Sequence, residues 1–134
     1  VYIREVERFR GQFNDVLNRI IQAANRHKAA IIAVEQTQYQ AAVIQELTRT
    51  TKLPVRGIRP DKDKLTRFMP ILTRFEQNMV RYAPSIPRWY LDELLAFPEG
   101  EHDDGVDATS HAFNALPSVE YKAPDYSLTV RTSA

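Results

Sequence analysis

Ala29-Ala30-Ile31-Ile32-Ala33-Val34-Glu35 decides how this chain is to be read: six apolar residues in a row, closed by a carboxylate. A continuous apolar run of this length predicts a strand buried on both faces, at the centre of a sheet that helices flank. Glu35 then falls at the carboxyl edge of the strand, where open α/β sheets bind ligands. A glutamate that merely opens a solvated loop fits the local sequence equally well.

Upstream, Phe13, Val16, Leu17, Ile20, Ile21 and Ala24 recur at helical spacing and predict a helix over 13–28. His27 lies at its end, where a cation suits the helix dipole, and reads as structural. Val1 to Phe9 alternates apolar and polar as a strand does, and Gly11 breaks it. Downstream, a helix over 38–50 carries Ala42, Val43, Ile44 and Leu47 behind Thr37 as N-cap. A short strand follows at 53–58, with Pro54 near its start. A third helix begins near Asp61 and shows Leu65, Phe68, Met69, Leu72 and Phe75; Pro70 should kink or split it. Met79–Tyr82 reads as an edge strand, residues 88–95 as a short helix, and Asp103 or Asp104 to Leu116 as the last helix, stopped by Pro117. This alternation predicts an α/β domain over 1–116, a layered sheet with helices on its faces. Residues 117–134 are polar, hold two prolines and read as a C-terminal tail or partner-bound arm.

At 134 residues, with 43% hydrophobic and 26% charged residues, the chain suits one globular domain rather than a disordered one. No apolar run approaches the roughly 20 residues a spanning helix needs, so no membrane is expected as a partner. Cysteine is absent, which excludes thiolate metal sites, mildly favours an intracellular setting and leaves carboxylates with His27, His102 and His111 for any ion. The net charge of +1 hides a segregation. Arg56, Arg59, Lys62, Lys64, Arg67, Arg74, Arg81 and Arg88 face only three acids between 56 and 88. From Asp92 to Asp107 stand seven acids and no Lys or Arg. A protein that grips a polyanion and holds cations would show this pattern, and so would two oppositely charged solvated faces.

The densest acidic segment is Glu101-His102-Asp103-Asp104-Gly105-Val106-Asp107-Ala108. Asp104 and Asp107, three apart, share a face of the last helix and favour its first turn. Capping accounts for one of them. Three Asp within five residues repel one another unless a cation or a basic partner lies between them. Hard divalent ions take carboxylate oxygens from separate elements, so Glu35 and Asp104 fit phosphodiester hydrolysis with two Mg²⁺ or Mn²⁺ ions. His102 stands next to the acids, within reach of an ion or a phosphate. His111 reads as a packed or half-exposed helix residue, and Trp89 and Tyr90 as core aromatics. Lys62, Lys64 and Arg67 lie together in the basic stretch and are expected to meet DNA phosphate.

Ala30-Ile31-Ile32-Ala33-Val34-Glu35, Asp63-Lys64-Leu65-Thr66-Arg67 and Phe97-Pro98-Glu99-Gly100-Glu101-His102-Asp103-Asp104-Gly105-Val106-Asp107-Ala108 occur in this order. Together they resemble the nuclease domain of the large terminase subunits of tailed bacteriophages and herpesviruses. The last motif is the most specific. The resemblance implies a ribonuclease H-like fold, a mixed sheet flanked by helices, cutting concatemeric viral DNA with two divalent ions. It also implies Glu35 as the second acidic position and Asp104 as the third, with Asp107 or Asp103 assisting. It places the family's first metal-binding Asp on a strand before Val1, so the chain is expected to lack N-terminal strands and to be weakly active alone. No Gly-x-x-x-x-Gly-Lys segment occurs, in keeping with an ATPase motor outside this chain. Expected partners are double-stranded DNA, the rest of the nuclease domain, the ATPase domain, the small terminase subunit and the portal. The setting would be the cytoplasm of a bacterial host, and an exposed sheet edge would favour self-association. A Holliday-junction resolvase-like nuclease and a non-catalytic DNA-binding or assembly module are the alternatives, with cleavage of RNA–DNA hybrids further off.

Overall fold

The computed structural model describes residues 1–116; the predicted tail, 117–134, lies outside them. Strand β1 (Tyr2–Ile3), helix α1 (Phe13–His27), strand β2 (Ile32–Glu35), helix α2 (Gln38–Thr50) and strand β3 (Val55–Ile58) come first. Helix α3 (Lys64–Glu76), strand β4 (Arg81–Tyr82) and helices α4 (Arg88–Ala96) and α5 (Asp104–Asn114) follow. The alternation is as read from the sequence. The sheet is not one piece: among the described residues β2 pairs with β3 and β1 with β4, both in parallel.

The apolar run forms β2, in register from Ile32 against Val55 to Glu35 against Ile58. Burial on both faces was expected, yet Ile32, Ala33, Val34 and Glu35 are all only half-buried. The reason is that β2 has a strand neighbour on one edge alone among the described residues. The strand expected over Val1–Phe9 shortens to Tyr2–Ile3. Its partner β4 supplies the Arg81 N–H to Val1 O, and the Ala83 N–H just beyond β4 donates to Ile3 O.

Pro70 neither breaks nor divides α3 in its hydrogen-bonded span, which runs unbroken over Lys64–Glu76. Pro70 and Thr66, whose carbonyl loses its helical partner, are both exposed, so water can serve that oxygen. Helix α3 begins at Lys64, later than the start expected near Asp61, because Asp63 is its N-cap and accepts from the Thr66 N–H at 2.8 Å. The opposite face of α3 carries the core. Phe68 and Ile71 pack with Val106 of α5, and Leu72, Phe75, Leu94, Phe97 and Phe113 close around them. Phe68 meets Phe97 edge-on at 5.0 Å between centroids, an arrangement that aromatic quadrupoles favour. This packing locks α5 to α3, and α5 also lies against β2. The strand edge bearing Glu35 and the helix bearing the acidic motif therefore meet.

Candidate metal centre

Glu35 ends β2 with its side chain 29% exposed. Asp107 and His111 stand one turn apart on the face of α5 turned inward, and both are buried. Ligand atoms of these three side chains all lie within 4.8 Å of one another. His111 Nε2 is 3.8 Å from Glu35 Oε2 and 3.7 Å from Asp107 Oδ2. Both distances exceed hydrogen-bond range, and this buried nitrogen has no partner.

Arg67 organises the carboxylate. Its Nε and one terminal nitrogen donate to Asp107 Oδ1 at 3.0 and 2.9 Å. Both bonds take the same oxygen, so Oδ2 is left to face His111. The other terminal nitrogen of Arg67 donates to the carbonyl of Lys62, and Asn114 Nδ2 donates to the Arg67 carbonyl at 3.0 Å. Arg67, expected at a DNA phosphate, is thus only 9% exposed and spends its donors inside the domain. Arg67 balances Asp107, while no Lys or Arg pairs with Glu35 among the described residues, which leaves a carboxylate charge at the edge of the cluster. A divalent cation would compensate it. Two carboxylate oxygens with an imidazole nitrogen form a donor set that fits such an ion.

The other predicted residues lie outside this cluster. Asp103 is the N-cap residue of α5 but makes no capping bond; its Oδ1 accepts from Lys64 Nζ at 2.6 Å. That bond raises the Lys64 pKa, with the charges of Asp103, Asp107 and Asp104 adding to it. Asp104 is exposed and borders a cavity beneath the N-terminal segment, beside Gly105 and Ala108, rather than the cluster. Lys62 and His102 are exposed. His27 pairs with Glu5, whose pKa is lowered by hydrogen bonds from His27 and Arg26. Tyr90 is fully buried with its hydroxyl 2.6 Å from Thr109 Oγ1; burial raises its pKa.

Two residues have neighbours that the sequence reading did not give. His111 is one, although its i+4 spacing from Asp107 was visible and puts both side chains on one helical face. Glu93 is the other. Buried in α4, it accepts the Gly105 N–H at 2.9 Å, supplying from another helix the cap that Asp103 does not make. Arg8 lies 3.6 Å from Glu93 and stacks over Trp89 at 4.2 Å.

Fold and site together define an α/β domain with a buried carboxylate–imidazole cluster at the carboxyl end of a parallel strand. A family model described as a terminase RNase H-like domain matches residues 1–116, and the chain belongs to that family. No curated protein and no solved structure matches the chain.

Proposed function

We propose that this domain is the metal-dependent endonuclease of a phage DNA-packaging terminase, acting on concatemeric double-stranded DNA in the host cytoplasm. The observation that carries the reading is the convergence of Glu35, Asp107 and His111 in a chain of the terminase RNase H-like family. Bound divalent ions would supply an activated water and compensate charge at the leaving oxygen. The protein's part is positional. Glu35 and Asp107 offer oxygens from two elements that the α5–β2 contact holds together. Arg67 fixes which Asp107 oxygen is offered. The exposed Lys62, and Lys64 beside Asp103, stand at the rim, where phosphate can be met. Asp107, rather than Asp104, is the α5 carboxylate assigned to the first ion, because it shares the cluster with Glu35. A further carboxylate from a preceding strand would pair beside β2 and complete a two-ion site. The motor domain, small subunit and portal remain the expected partners of such a nuclease.

Nicking of supercoiled plasmid with Mn²⁺ or Mg²⁺ tests this, comparing the chain, its Glu35→Ala and Asp107→Ala variants, and a chain extended through the preceding strands. Metal-dependent nicking, in either length, that both variants lose is the expected result. Preference for branched over linear DNA would favour a resolvase-like enzyme. DNA binding without cleavage at either length would sink the nuclease reading in favour of a binding or assembly module.

A further inference from the structure

What kind of ion the metal centre selects turns on His111. We infer that His111 Nε2 is a direct ligand of the ion held by Glu35 and Asp107, giving the centre a nitrogen donor and a preference for Mn²⁺ over Mg²⁺. The inference rests on the metal-centre reading and deepens it.

The first ground is the state of the nitrogen. His111 is 6% exposed, and its Nε2 is buried without a hydrogen-bond partner. A buried polar atom in that condition costs free energy unless something fills the gap. It lies 3.8 Å from Glu35 Oε2 and 3.7 Å from Asp107 Oδ2. An imidazolium between two carboxylates would close to about 2.7–2.9 Å, the range of charge-assisted bonds. The gap is too wide for that and suits an ion. Two ligands about 2.1 Å from one ion stand about 3 Å apart at a right angle and about 3.4 Å apart at the tetrahedral angle. From 3.8 and 3.7 Å, Nε2 and the carboxylate oxygens have to close by about 0.3–0.4 Å to share an ion at the tetrahedral angle and by about 0.7–0.8 Å at a right angle.

The second ground is the anchoring of the three donors. Asp107 is held by Arg67 through its other oxygen, and His111 is fixed one turn along the same helix. Glu35 sits at the end of a paired strand. The donors come from two elements joined by packing, so the arrangement does not depend on one flexible loop.

The chemistry then sets the selectivity. Mg²⁺ favours all-oxygen shells and gives up water reluctantly. Imidazole suits transition-metal ions better than Mg²⁺, and the divalent affinity order that Mn²⁺ opens applies to nitrogen as well as oxygen sites. A carboxylate–carboxylate–imidazole set therefore discriminates against Mg²⁺ in a way that three carboxylates would not.

Mn²⁺ binding to the whole 134-residue chain, followed by electron paramagnetic resonance, tests this without any turnover. The expected spectrum of bound Mn²⁺ shows ¹⁴N coupling from one imidazole in pulsed measurements. The coupling should vanish in His111→Asn. Loss of a direct ligand should weaken Mn²⁺ binding by at least about tenfold, no less than the loss of an outer-shell partner does. Mg²⁺, added as a competitor, should displace Mn²⁺ more readily from His111→Asn than from the parent chain. Because the coupling is read on the unaltered protein, the test survives a variant that folds poorly. Mn²⁺ bound in a Glu35-dependent way, as judged by Glu35→Gln, but without nitrogen coupling would overturn the His111 assignment and leave the metal centre standing. Absence of bound Mn²⁺ at millimolar concentration would overturn both.

Discussion

Asp104 and Asp107 lie one turn apart on the same helix and look interchangeable in the sequence, yet α5 gives them opposite surroundings. Asp107 is buried, doubly bonded through one oxygen to Arg67, and turned toward Glu35 and His111. Asp104 is exposed at the border of the cavity under the N-terminal segment. The difference comes from what packs against each flank of the helix: α3 brings a guanidinium to one side, and the chain's first residues leave the other open to water. Carboxylates of identical type and nearly identical position thus hold different offices, one preorganised and one solvated.

The sharpest way to break the contrast is to remove Arg67. Arg67→Ala strands a buried carboxylate and should cost about 3–5 kcal/mol, measured by urea unfolding. Replacing Arg67 and Asp107 together by apolar residues of similar volume should cost much less, because the loss is that of an unpaired charge. Equal losses for the single and double replacements would mean that the pair is not what holds this face of α5.

A functional comparison of the two acids comes next. Asp107→Asn should reduce metal-dependent nicking by at least about 100-fold, beyond the range seen for outer-shell partners. Asp104→Asn should leave the rate within about threefold, since an exposed charge acts only through a screened field. The reverse order would return Asp104 to the centre of the site.

The cap from α4 separates the two flanks more gently. Glu93→Ala should cost about 1–2 kcal/mol in thermal or chemical unfolding through the lost acceptor at the α5 N-terminus, and Glu93→Gln should recover much of it. The smallest effect belongs to the rim pair. Lys64 and Asp103 have 45% and 26% exposed side chains, so Lys64→Met should cost no more than about 1 kcal/mol, and less in high salt. Its pH dependence has a definite sign. Folding raises the Lys64 pKa above the ordinary 10.5, so the contribution is complete below that value and is lost as pH rises through the folded pKa. A melting temperature that Lys64→Met lowers equally at neutral and strongly alkaline pH would contradict it.

Much of this was legible in one dimension. The apolar run ending in Glu35 set a strand and a carboxylate at its edge, and the apolar stripes of α1 and α2 gave bounds close to those observed, because both signals are local periodicities. The shortfall in burial of β2 was not legible, since an apolar run reports a strand suited to burial and not how many strands pair with it. The pairing of Arg67 with Asp107 spans 40 residues. No local pattern announces it, and the Lys-x-x-Arg spacing pointed outward to phosphate instead. His111 was read as packed or half-exposed, and it is buried. Its buried position concealed its chemistry, because periodicity reports which face a residue occupies and not which atoms it finds there. Glu93 was hidden for the same reason, being a cap supplied from outside its own helix.

Gly105 carries a consequence for mutational tolerance. A Cβ at this position would come within 2.7 Å of Glu93 Oε2, 3.1 Å of Tyr90 Cδ2 and 3.2 Å of Trp89 Cζ3. Even alanine must push α4 and α5 apart or expel the carboxylate that caps the helix. A saturation screen scored by nicking would therefore rank residue 105 among the ligand positions, although it has no side chain with which to touch an ion or DNA. Intolerance in such a screen would mark the tightness of a helix contact, and its map would outline the scaffold of the centre as clearly as the centre itself.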